Sequence, residues 1–145
     1  LADATPGEDL WRYDYKVSGR SFVQSGFFDI YFDPDLFASL LAGPPPNADW
    51  DVTILQQPAP GNLPPFDTGI FDAFALTSDP SLVGTFSVSF AYRGTGSPGA
   101  QPFEIFDDLS NSVETGFTTL IPEPSTAALS LIGLAGALIR FRRRA

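Results

Sequence analysis

The stretch Thr85-Phe86-Ser87-Val88-Ser89-Phe90-Ala91-Tyr92-Arg93 decides the fold. Phe86, Val88, Phe90 and Tyr92 alternate strictly with Thr85, Ser87, Ser89, Ala91 and Arg93. A period of two gives an extended strand one apolar face and one polar face, and the strand is expected over Val83 to Arg93. The same period recurs to either side. Trp11, Tyr13, Tyr15 and Val17 alternate with Arg12, Asp14 and Lys16. From about Phe22 to Phe32, the side chains of Phe28, Ile30 and Phe32 point one way and those of Phe27, Asp29 and Tyr31 the other, with Gly26 marking a bulge or bend. Trp50, Val52 and Ile54 face inward against Asp51 and Thr53. Ile70 to Thr77, Phe103 to Phe106 and Val113 to Leu120 supply three more strands.

The connections are read from turn chemistry. Asp33-Pro34-Asp35 breaks the second strand and caps a short helical turn through Leu36, Phe37, Leu40 and Leu41, ended by Gly43 and Pro44-Pro45-Pro46. Gln56 to Pro65 is Pro-rich and unsuited to a sheet ladder, and Gly94 to Pro102 is rich in Gly and Pro. About seven short strands, one helical turn and no alternation of strand with helix predict an all-β fold, an antiparallel β-sandwich. The sandwich is expected over 10–118, after a flexible N-terminal segment at 1–9.

Composition narrows the chemistry. The chain has 145 residues, enough for one domain with a real core. It carries 8 basic and 17 acidic side chains, a net charge of −9. Four of the basic residues are Arg at the extreme C-terminus, so the part before Ala127 holds four basic against 17 acidic residues, a net charge of −13. A field of that sign disfavours nucleic acid and anionic lipid, and favours solubility, cationic partners or divalent metal. His, Cys and Met are absent, which removes Ser-His-Asp and Cys-His triads, disulfides and the commonest transition-metal ligands.

Three groups of residues are candidate sites, each with a plain structural alternative. Asp29, Asp33 and Asp35, with Asp49 and Asp51 beside Trp50, offer oxygen ligands for Ca²⁺, although an EF-hand pattern is lacking. Turn capping and outward strand positions account for the same residues. Asp107 and Asp108, with Glu104 nearby, are the residue type of glycoside hydrolysis, yet they stand at a strand end before Leu109-Ser110-Asn111, where a turn needs polar groups. Trp11, Trp50, Tyr13, Tyr31 and Tyr92 are the makings of a sugar-stacking platform. Most of them fall on the inward phase and serve the core, Tyr31 being the exception because it shares the phase of Asp29.

The tail has its own grammar. Ile121-Pro122-Glu123-Pro124-Ser125-Thr126 is followed by an uncharged, mostly apolar run from Ala127 to Ile139 and then by Arg140-Phe141-Arg142-Arg143-Arg144-Ala145. A helix of about 13 residues rises roughly 20 Å, short of a hydrocarbon core near 30 Å. Ser125, Thr126 and snorkelling Arg side chains bring it close to a marginal span. Arg beside a span stays on the cytoplasmic side, so the acidic body is expected outside. Pro122 and Pro124 favour a stiff, extended strip just ahead of the helix.

These parts, in this order, resemble the PEP-CTERM sorting signal of exported bacterial proteins, over 119–145. The resemblance implies a motif at Pro122, Glu123 and Pro124, a transmembrane helix at about 125–139, and a cytoplasmic basic anchor of Arg140, Arg142, Arg143 and Arg144. It implies as partner an exosortase, a membrane-embedded cysteine transpeptidase or protease that cuts near the motif. Export also implies an N-terminal signal peptide. The chain contains no Met, and Leu1-Ala2-Asp3-Ala4 looks like the neighbourhood of a signal-peptidase site, so an upstream segment is expected to have been removed or left out. The body in turn resembles the small aromatic-rich β-sandwiches often found ahead of such tails, in Gly26 to Asp33, Phe86 to Phe90 and Gly96 to Ile105.

The expected function is therefore that of an exported, non-enzymatic structural or adhesive protein. It needs no cofactor, is held briefly in the inner membrane and is then delivered to the cell surface or extracellular matrix of a bacterium, among exopolysaccharide and other matrix proteins. The alternative is a secreted module that binds exopolysaccharide or calcium on the same sandwich.

Overall fold

A computed structural model describes residues 9–55 and 68–121. The N-terminal segment expected at 1–8, the Pro-rich connection at 56–67, and the tail from 122 onward, with its motif, transmembrane helix and basic anchor, lie outside the described residues.

Eight strands follow one another: β1 Asp9–Tyr15, β2 Phe27–Phe32, β3 Phe37–Ala42, β4 Trp50–Leu55, β5 Gly69–Ala75, β6 Phe86–Tyr92, β7 Pro102–Phe106 and β8 Ser112–Phe117. They form a three-stranded sheet ordered β1-β6-β3 and a five-stranded sheet ordered β4-β5-β2-β7-β8, and every pairing is antiparallel. No helix occurs among the described residues.

The alternation read from the sequence is the alternation of burial. Phe28, Ile30 and Phe32 of β2, Phe71, Ala73 and Ala75 of β5, and Phe86, Val88 and Phe90 of β6 are all buried between the sheets. Large rings fill this layer edge to face, the arrangement their quadrupoles favour. Trp50 meets Phe22 at 5.1 Å and 82° and Phe86 at 5.1 Å and 89°, while Phe28 meets Phe86 at 5.1 Å and 83°. The indole N–H of Trp50 donates to the Ser81 carbonyl at 2.9 Å, so the largest core side chain buries no unpaired donor.

The helical turn expected through Leu36, Phe37, Leu40 and Leu41 is instead β3, which raises the strand number from seven to eight. One helical turn does begin: Leu36 N and Phe37 N both donate to the Asp33 carbonyl, and Asp33 Oδ1 accepts from Asp35 N. It stops there because Phe37 and Leu40 are both needed in the core, where they are 3% and 8% exposed. In a regular strand, residues three apart face opposite ways. Here the register shifts between Ala38 and Leu41, and Ser39 adopts φ 54, so a bulge returns both side chains to the inner face. A bulged strand thereby reproduces the spacing that suggests a helix.

The second strand is also shorter than expected. Phe22 is buried, but it belongs to the loop before β2, where Gly26 N donates to the Val23 carbonyl and closes a turn.

The registers fix which strand termini share an end. The exit end gathers the start of β1, the ends of β2, β4, β6 and β8, and the starts of β3, β5 and β7. The chain leaves β8 there toward its tail. The far end holds the turn closing β7 to β8 and the loops before β2, β4 and β6.

Candidate functional site

Two neighbouring regions collect the polar chemistry of the body: the solvent-facing side of the five-stranded sheet, and a pocket at the exit end.

On the sheet, register places Asp72 opposite Asp29 and Asp29 opposite Glu104, so three carboxyl groups from β5, β2 and β7 form a row across three adjacent strands. Like charges directly opposite repel, and no Lys or Arg stands among the outward residues of this sheet. The row answers by holding protons. Burial, then the nearby Asp72 charge, pushes the Asp29 carboxyl up to about 7, and burial raises Asp72 as well. One carboxylate oxygen of Asp29 is buried with no fixed donor near it. A proton held between Asp29 and Asp72 supplies the missing donor. Tyr31 donates its hydroxyl to Glu104 Oε2 at 3.0 Å, and burial raises the hydroxyl's own pKa.

Beside the acidic row runs an aromatic one, Phe74, Phe27 and Phe106. Phe27 stacks on Phe106 at 4.5 Å and 14° and on Phe74 at 6.3 Å and 23°. Because the rings lie face to face with one another, their edges rather than their faces meet the solvent.

The exit-end pocket encloses about 570 Å³ and is bordered by Tyr31, Asp33, Phe37, Tyr92, Gln101 and Pro102, among others. Its rim is tied down: Tyr13 donates to the Gly99 carbonyl at 2.7 Å, and Gln101, itself buried, donates to the same carbonyl through Nε2 at 2.8 Å. Burial holds the Tyr13 hydroxyl up at about 12.

The residues singled out in the sequence are distributed as follows. Asp29 joins Asp72 and Glu104 in mid-sheet. Asp33 and Asp35 lie in the turn at the exit end, about 13 Å or more along an extended chain from Asp29. Among the described residues, no group of three or more acidic side chains is arranged to hold a metal ion. Asp49 is bound into a loop network, accepting from Ser81 N at 2.9 Å. Asp107 caps the β7–β8 turn: its carboxylate accepts from the side chain and backbone of Asn111 and from Leu109 N, which holds its pKa below the usual carboxylate range. Trp50 is buried, Trp11, Tyr13 and Tyr92 pack against the core, and Tyr31 faces outward as its phase predicts.

The Asp72–Asp29–Glu104 row is not legible in the linear sequence. Each residue shows as an outward acid in its own strand, but only the pairing register brings the three together.

The remaining functional signal is in the tail. Residues 120–144 match the PEP-CTERM protein-sorting motif. No curated protein and no solved structure matches the chain. The motif implies an exported, membrane-transiting chain that an exosortase processes.

Proposed function

We propose that this chain, with its PEP-CTERM motif at 120–144, is a structural or adhesive β-sandwich protein. It is held in the inner membrane only until an exosortase-type enzyme cuts near Pro122-Glu123-Pro124 and passes the body to the cell surface or matrix. The match over 120–144 is the observation that carries this reading. The catalysis belongs to the processing enzyme, and this chain is the substrate. Its apolar run from Ala127 to Ile139 holds the chain in the bilayer, and Arg140, Arg142, Arg143 and Arg144 hold the orientation. The body has no His or Cys, and Asp107 is engaged in capping a turn, so the sandwich is read as non-catalytic.

Intact mass spectrometry tests this, comparing protein from the surface or medium of the native host with the inner-membrane fraction. Loss of the residues after about Pro124 in the surface form is expected. An intact Arg cluster on surface protein would overturn the assignment. Glu123→Ala should make the full-length form accumulate in the inner membrane, and normal processing of that variant would show that the motif is not read.

A second reading, a module that binds exopolysaccharide or calcium, is favoured by the exit-end pocket, where Tyr31, Phe37 and Tyr92 stand beside Asp33 and Gln101. A ligand that binds the folded state at a hundred times its Kd stabilises it by about 2.7 kcal/mol. A rise in melting temperature with matrix polysaccharide or Ca²⁺ therefore supports this role, and an unmoved transition removes it.

A further inference from the structure

The two ends of the sandwich differ in character. At the exit end, Leu10, Leu36 and Leu55 are 79%, 38% and 37% exposed, and the departing chain adds Phe117 at 71%, Leu120 at 57% and Ile121 at 79%. Charge at that end among the described side chains is sparse, with Asp33 and Asp35 beside Arg93. The far end gathers Asp49, Asp51, Asp79, Asp107 and Asp108 against Lys16 and the Arg20–Glu114 ion pair. One end is apolar and nearly neutral, and the other is strongly acidic.

The tether is short. Thr118 is clamped to buried Gln101 by a reciprocal pair: Thr118 N donates to the Gln101 carbonyl, and Gln101 N donates to Thr118 Oγ1, both at 2.8 Å. From Thr118 to Ala127, nine residue steps at no more than about 3.5 Å each span roughly 30 Å. A domain of this size has a radius of gyration of about 13 Å. The exit end therefore stays within about one body diameter of the apolar run and faces it.

We propose that the exit end is a bilayer-docking surface. Phe117, Leu120 and Ile121, with Leu10, Leu36 and Leu55 around them, seat the body on the outer lipid headgroups before processing, while the acidic end points to solvent. This rests on the reading of Ala127 to Ile139 as the membrane segment. The chemistry fits lipid because apolar and aromatic side chains partition into the interfacial region, and because the acidic end, which anionic lipid repels, is held away from it. Docking places the motif at the membrane boundary, where a membrane-embedded enzyme reaches it.

The absence of Cys allows a direct test on the full chain. Ala100→Cys reports on the exit end and Val83→Cys on the far end, both at exposed positions outside the tether. Each variant is labelled with an environment-sensitive fluorophore and reconstituted into phosphatidylcholine vesicles containing one-fifth phosphatidylglycerol and headgroup-depth nitroxide lipids. Flotation with the vesicles reads tail insertion separately from docking. The label at 100 is expected to be quenched several-fold more than the label at 83. Adding Phe117→Ser, Leu120→Ser and Ile121→Ser should abolish that difference while the chain still floats and melts as before.

Equal quenching at 100 and 83 in floating protein would overturn docking and leave the sorting reading standing. Failure to float would overturn the membrane-segment reading and docking with it. Quenching at 100 that survives the triple substitution would mean that the tether alone holds the body close, and it would overturn the apolar contact. Protection of position 100 that appears only when the exosortase is present would give the surface to the enzyme instead of lipid.

Discussion

Asp29 shows how a single side chain acquires a property that its neighbours in sequence do not give it. Its carboxyl titrates near 7 because it is partly buried and Asp72 faces it. In the unfolded chain it titrates near the ordinary value of 3.8, so between those two pH values the folded state binds more protons. The stabilisation is fully present below about pH 4 and is lost as the pH rises through about 7. Solvent reaches the row, and after screening the effect is on the order of 1–2 kcal/mol. Asp29→Asn, which carries no charge at any pH, should flatten the dependence of stability on pH between 4 and 8 and raise the melting temperature at pH 8. An unchanged slope in urea titrations across that range would show that Asp29 does not hold the proton. Tyr15 offers a second test at this scale. Its hydroxyl is buried without a hydrogen-bond partner, and burial pushes its pKa well above the ordinary tyrosine value. An unsatisfied buried hydroxyl costs about 1–3 kcal/mol, so Tyr15→Phe is expected to stabilise the body by about 1 kcal/mol in chemical denaturation. A loss of stability would mean that the hydroxyl has a partner in solution.

At the scale of elements, β3 is the place where local and tertiary preferences compete. Its first turn is helical in hydrogen bonding, and its remainder is a strand because Phe37 must pack against Phe32 at 5.3 Å and Phe90 at 5.0 Å. Phe37→Ala is expected to cost about 3–5 kcal/mol, the usual range for emptying a buried Phe site. Leu41→Ala, at a position 68% exposed, should stay within about 0.5 kcal/mol. A helix with Leu40 and Leu41 both on its buried side would make the second substitution costly as well, so the two melting curves discriminate the two structures. Ser39→Gly relieves the positive φ of the bulge and should be neutral or stabilising. The strands themselves were legible because each carries its own period of two. The bulge was not, because its cause is the distance between two packed sheets, which no window of sequence contains.

The whole molecule is polar in its layout, with its tail, pocket and apolar rim at one end and most of its exposed aspartates at the other. Thr118, clamped to Gln101, is the last residue that β7 holds, so the residues that processing would remove make no contribution to the sandwich among the described contacts. A chain ending at Ile121 is expected to melt at the same temperature as the full chain in detergent. Thr118→Ala in either background should lower stability by about 1 kcal/mol through loss of the acceptor for Gln101 N. A large drop on truncation would mean that the tail packs on the body, and the division between them would need redrawing.

Sequence by itself determined the class of fold and the fate of the chain. Alternation along each strand is a local signal, and the sorting motif is contiguous, so both survive without knowledge of what pairs with what. The tertiary structure decided what lies side by side: the bulged β3, the row of Asp72, Asp29 and Glu104, and the gathering of six apolar side chains at the end from which the tail departs. Each depends on strand register, which is set by long-range burial of Phe, Trp and Val side chains between two sheets. A shift of one residue would have turned every one of these side chains to the other face.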